Sequence, residues 1–149
     1  MTSDQKLQTV YLKWNSYKGK GWKGHDFLNK PAKDAILKRL REGYRPESLC
    51  KAIDNYARVL LYPDCGWTHA WSLKEFFTRH IIKGGKWEGF QFTRFLDGEF
   101  YEDDYLTQSA KSRRIENERA RVQVKKFAPV SAERKTELRK QSGLARWQK

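Results

Sequence analysis

The sequence predicts a mostly α protein: a compact bundle of four to five short helices over residues 4 to about 98, then a basic, partly helical C-terminal extension. Three observations carry this expectation. Apolar residues recur at steps of three and four in several separate blocks. Capping boxes and prolines stand where helices start. The composition also changes sharply after residue 106, which sets expected boundaries of 1–106 for a helical domain and 107–149 for a basic tail.

The first helix starts at Thr2 and Gln5, which have capping-box spacing, and carries Leu7, Val10, Tyr11 and Trp14 on one stripe to an end near Asn15. Pro31 suits the first turn of a second helix, with Ile36, Leu37 and Leu40 inward and Gly43 as its stop. Pro46 starts a third in the same way. Its Leu49, Ile53, Tyr56, Ala57 and Leu60 form an apolar face, while Lys51, Asp54 and Arg58 point elsewhere. Ser72 and Glu75 make a second capping box ahead of Leu73, Phe76 and Phe77, so a fourth helix is expected from Ser72 to about His80. Between the last two lie Tyr62, Pro63, Trp67, Thr68, His69 and Trp71, an aromatic connection expected to pack as a fixed plug. Residues 86–96, KWEGFQFTRFL, fit either a strand, by the alternation of Phe90 and Phe92, or a helix, by Phe92, Phe95 and Leu96; a short helix ending at Gly98 is the preferred reading.

The chain holds 31 Lys and Arg against 18 Asp and Glu, a formal net charge of +13. Most of that excess is in the tail, whose thirteen basic and four acidic residues leave a net of +9, against +4 for residues 1–106. A charge of this size favours a polyanionic partner, because neutralising phosphates releases counterions. Cys50 and Cys65 form no disulfide framework and fit a reducing compartment. No apolar run approaches the length of a membrane span and the N-terminus is polar, so no membrane association is expected.

An ordered set of short segments then points to a family. Tyr11 to Ser16 reads as an aromatic-Trp-Asn-Ser start and is followed by His25. ILKRLREGY, AIDNYARVL and WTHAWSLKEFFTR come next, closing on Phe95 to Asp97. Over roughly residues 10 to 98 the chain resembles a helical domain of bacteriophage replication proteins, the replisome-organiser and helicase-loader type. The resemblance implies a role in DNA replication, a replicative helicase or other host replication protein as partner, and the bacterial host cytoplasm as location.

Several chemistries are weighed against this. Cys65 and His69 have a C-x3-H spacing, but zinc sites usually show a second close pair, and His69 reads better as a core histidine bonded to its own turn. Asp97, Glu99, Glu102, Asp103 and Asp104 are the one local supply of carboxylates for a metal-dependent nuclease, and without an accompanying histidine they read as a solvated linker. There is no phosphate loop of the G-x-x-x-x-G-K-[ST] type. The expectation is therefore a protein without catalytic residues, metal or cofactor.

Nucleic-acid binding is the positive case. In the loop YKGKGWKG, Lys18, Lys20 and Lys23 alternate with Tyr17 and Trp22, combining phosphate contacts with a stacking surface, although Trp22 fits a core plug equally well. Lys38, Arg39 and Arg41 add a basic stripe on the second helix. In the tail the candidates are Arg113, Arg114, Lys125, Lys126, Arg134, Lys135, Arg139 and Lys140, with Arg146 and Trp147 in a closing Leu-Ala-Arg-Trp motif. No groove-reading element is identified, so binding to single or double strands is expected to be largely independent of sequence. The alternative is an adaptor that engages a host protein without touching DNA.

Overall fold

The computed structural model describes residues 1–19 and 21–127, with side chains as far as Val124. It is mostly helical. The helices are α1 (Ser3–Asn15), α2 (Lys30–Arg41), α3 (Pro46–Leu61), α4 (Leu73–Thr78) and α5 (Gln108–Phe127), and a two-stranded antiparallel sheet, β1 (His80–Lys83) and β2 (Lys86–Phe90), lies between α4 and α5 in the chain. The chain divides into two units, Met1–Lys111 and Ser112–Lys149.

Local chemistry sets the helix starts as the sequence predicts. The Thr2 hydroxyl accepts from the Gln5 N–H while the Gln5 side chain accepts from the Thr2 N–H, and Ser72 and Glu75 repeat the arrangement at α4. Asn29 caps α2, and Pro31 and Pro46 occupy the first turns of α2 and α3. In the first unit α1 packs on α3 and α2 on α4, with the 3-10 turn Gln91–Phe95 closing over α3 and α4. Trp14, Leu49, Ile53, Tyr56, Leu73, Phe76, Phe77, Phe92 and Phe95 are all fully buried in the resulting core.

Tyr56 is the hub of that core. Its ring lies 5.0 Å from Phe76, 5.1 Å from Trp22 and 5.3 Å from both Trp71 and Phe95. Its hydroxyl donates to the His69 carbonyl at 2.8 Å and accepts from the Trp71 N–H at 2.7 Å, and the Trp67 indole N–H also donates to the His69 carbonyl, at 3.0 Å. The plug is thus fastened to α3 by backbone hydrogen bonds as well as by ring packing. One expectation is corrected here: the His69 side chain is exposed, and it is the carbonyl of that residue that binds the turn. Further along, the Gly66 N–H donates to Tyr105 and the Thr107 N–H to Asp64, both at 2.9 Å, which ties the start of α5 to the plug.

A second correction concerns residues 79–96. Helix α4 stops at Thr78, because Arg79 is extended, and His80 opens a β-hairpin where a helix end was expected. Gly84 and Gly85, at φ of 57° and 77°, form its two-residue turn, a conformation that needs positive φ at both positions. The short helix expected over residues 86–96 is instead a strand to Phe90 followed by the 3-10 turn.

Candidate nucleic-acid interface

The loop after α1 does not offer the stacking surface that its composition allows. Asn15 holds it from both sides, its amide donating to the His25 carbonyl at 2.8 Å and its side-chain oxygen accepting from the His25 N–H at 2.9 Å. The Tyr11 hydroxyl also donates to that carbonyl, and the Trp14 indole donates to Lys23 O at 2.9 Å. Gly19, at φ 103°, and Gly21, at φ 75°, permit the reversal that turns Trp22 inward. Trp22 is 6% exposed, with its ring 4.3 Å from Trp14 and 5.3 Å from Tyr17. Its faces are covered, so the core reading holds and Trp22 is not a contact residue for nucleic acid. Lys18 is exposed but paired with Asp26, whose carboxyl it holds below the usual range. Lys23 stays exposed, and Lys20 lies outside the described residues.

Arg39 is the other correction. It is 1% exposed, with its guanidinium 3.8 Å from the Phe90 ring centroid, 5.5 Å from that of Phe92, and Nη1 2.8 Å from a Glu42 carboxylate oxygen. Burial draws its pKa below the ordinary arginine value, and the charges of Glu42 and Tyr44 oppose that shift. Being desolvated between two aromatic rings, Arg39 fastens the base of the hairpin to α2 and is not offered to phosphates. Its neighbours Lys38 and Arg41 are exposed.

What the burial of Arg39 supports is a surface that sequence reasoning missed. In the hairpin register His80 faces Phe90, Ile82 faces Trp87 and Lys83 faces Lys86, with Glu88 left over as a bulge. His80, Ile82, Trp87 and Phe90 therefore share one face, and their rings meet there: His80 lies 5.1 Å from Phe90 and 6.3 Å from Trp87, and Trp87 lies 5.8 Å from Phe90. This face runs outward from half-buried Phe90 to Trp87, which is 62% exposed, and Ile82, which is 69% exposed. The one sequence signal for it is the Gly-Gly pair between HIIK and KWEGF, a two-residue hairpin turn.

Beside the hairpin, Lys30, Pro31, Asp34, Lys38, Lys74 and Thr78 line a groove between α2 and α4. Lys38 joins the two surfaces, because its ammonium is 6.0 Å from the Phe90 ring. Lys30, Lys38, Lys74, Lys83 and Lys86 thus lie on neighbouring elements whose acids are Asp34, Glu75 and Glu88, and none of the five is ion-paired among the described residues. Another groove, lined by Tyr17, Lys51, Asp54, Arg58 and Tyr62, differs in its charge balance. There Lys13 and the Tyr17 hydroxyl both engage Asp54, Arg58 meets Glu102 at 3.4 Å, and the Tyr17 pKa is pushed up to about 12 by burial and by Asp54.

In the second unit, α5 carries Arg113, Arg114, Arg119 and Arg121 as exposed residues, with Ile115, Val122 and Val124 exposed among them. Lys125 and Lys126 belong to its last turn, whereas Arg134, Lys135, Arg139, Lys140, Arg146 and Trp147 lie outside the described residues. Among the described residues no three His, Cys, Asp or Glu side chains gather as metal ligands would; Cys65 is buried while the His69 side chain is exposed. No helix of the described residues is long and apolar enough to cross a membrane. Comparisons with protein-family models, curated proteins and solved structures find no match.

Proposed function

We propose that the protein is a non-enzymatic nucleic-acid-binding factor that holds DNA phosphates along the groove between α2 and α4 and along the hairpin, with α5 as a second basic element. The observation that carries this reading is the set Lys30, Lys38, Lys74, Lys83 and Lys86, unpaired among the described residues and divided between the groove and the hairpin, which Lys38 joins. Lysines left without carboxylate partners keep their full charge for a polyanion, and each phosphate they neutralise adds a counterion-release term. The resemblance of residues 10 to 98 to phage replication proteins supports DNA as the polyanion and replication as the process.

Titration of a labelled oligonucleotide over a range of salt concentrations tests the proposal. Binding should weaken steeply with salt, and Lys38→Glu with Lys74→Glu should lower the slope of log K against log salt by roughly 0.7 to 0.9 for each phosphate that is no longer neutralised. Removing residues 112–149, which carry twelve basic and four acidic residues, should flatten it further. Binding that is absent, or indifferent to salt, overturns the proposal.

A second reading, an adaptor for a protein partner such as a replicative helicase, is favoured by Ile115, Val122 and Val124, apolar side chains exposed on a highly charged helix. Capture of purified helicase that survives nuclease treatment and is lost on Ile115→Lys supports that reading.

A further inference from the structure

We infer that the His80–Phe90 hairpin is a base-stacking element, and that the nucleic acid it takes is single-stranded, with a base seated on Trp87 beside Ile82; this rests on the nucleic-acid-binding reading above. Trp87 and Ile82 are a cross-strand pair, 62% and 69% exposed, at the outer end of a ribbon only four to five residues long. A folded monomer gains nothing by presenting an exposed tryptophan and an exposed isoleucine side by side. An aromatic or apolar surface from a partner is what they match.

The ribbon is also prepared for that contact. Isolated two-stranded hairpins are marginal in water, but here Phe90 is clamped over the buried Arg39 guanidinium, and the Gln91 N–H donates to the Arg79 carbonyl at 2.8 Å. His80 and Phe90 meet the Trp87 ring nearly at right angles, at 85° and 80°, which fixes its tilt while most of the residue stays open. At the turn Lys83 and Lys86 stand opposite each other, a like-charge pairing that disfavours the free ribbon and that a bound phosphate relieves. Strand alternation turns both to the opposite face from Ile82 and Trp87, at the tip of the ribbon, where flexible stems leave their charges within range of a backbone that passes over the turn.

The chemistry of the face selects single strands. A β-ribbon that reads a duplex enters the major groove with side chains that hydrogen-bond base edges. The outer end of this face presents Trp87, which stacks, and Ile82, which packs beside it, while the His80 ring lies further in against Phe90. Inserting Trp87 and Ile82 into a duplex costs unstacking at each step, whereas an unpaired base offers its flat face freely.

The test uses the full chain with an oligothymidine of roughly 16 nucleotides and with a duplex of the same length. Trp87→Ala should weaken oligothymidine binding by roughly 5- to 100-fold, leave duplex binding and the melting temperature nearly unchanged, and be largely rescued by Trp87→Phe. The Lys38→Glu and Lys74→Glu pair should weaken both ligands. If Trp87→Ala binds oligothymidine like the parent while the charge variant loses affinity, the stacking assignment fails and the phosphate-binding surface stands. If the parent binds neither ligand, both fail. Trp87-dependent binding to phosphatidylserine vesicles in place of oligothymidine assigns the hairpin to a lipid surface and overturns the inference.

Discussion

Replacing Tyr56 by Phe removes one oxygen atom from the centre of the core and isolates what fastens the aromatic plug to α3. The ring stays, so its packing on Trp71, Phe76 and Phe95 stays. What goes is the bridge between the His69 carbonyl and the Trp71 N–H. The carbonyl keeps a second donor, the Trp67 indole at 3.0 Å, and its loss is that of one hydrogen bond, about 1 kcal/mol. The Trp71 N–H is buried and has no such reserve, so it bears a desolvation cost of about 1 to 3 kcal/mol. Together these amount to about 2 to 4 kcal/mol, or roughly 10 to 25 °C in melting temperature for a unit of this size. Urea unfolding should show a lower midpoint with an unchanged slope. The alkaline limb supplies an independent check. Burial pushes the Tyr56 pKa up to about 12, against about 10 for a free tyrosine, so its contribution is complete below pH about 10 and is lost as pH rises toward 12. Tyr17 is raised similarly, which makes the difference between parent and variant the quantity to follow. That difference should shrink between pH about 10 and 12. A Tyr56→Phe protein within about 0.5 kcal/mol of the parent, or a gap that stays constant over this range, refutes the reasoning.

Trp22→Ala should cost about 3 to 5 kcal/mol, as other large core truncations do, because Trp22 is packed among Trp14, Tyr17 and Tyr56; an unchanged melting temperature with reduced oligonucleotide affinity contradicts its placement. Arg39→Ala should cost about 2 kcal/mol, the scale of a desolvated cation–π contact, and should speed amide hydrogen exchange in His80–Phe90 while α1 and α3 keep their protection. Ser72→Ala should cost about 1 kcal/mol through loss of the α4 cap. The Glu75 carboxyl is held below its usual range by the Ser72 N–H and hydroxyl, so its contribution is present above that range and lost as pH falls below about 4. Acid titration should find a shallower loss in the Ser72 variant.

The helices were legible because the information that places them is local. Thr2 with Gln5, Pro31, Pro46, and Ser72 with Glu75 each satisfy or spare backbone donors within a few positions of themselves. The apolar faces follow the helical repeat, and the aromatic density between α3 and α4 already implied a packed connection. The hairpin was misread for an equally local reason. Phe92, Phe95 and Leu96, which carried the helical reading, belong to the 3-10 turn Gln91–Phe95 and its cap, while the bulge at Glu88 breaks the strand alternation ahead of them.

The candidate interface divides in the same way. By itself the sequence determined the helical class, the helix starts, the plug and the excess of positive charge, since caps and repeats act over one turn and charge simply adds along the chain. Only the tertiary structure decided which charges and aromatic rings face outward. Arg39 lies beside Lys38 and Trp22 beside Lys23, yet Arg39 and Trp22 are buried while both lysines are exposed. Arg39 is inside because Phe90, some fifty positions away, covers it, and Trp22 because Tyr56 does. Contacts of that range depend on how α1, α2, α3 and the hairpin come together, and no window of neighbouring residues contains them.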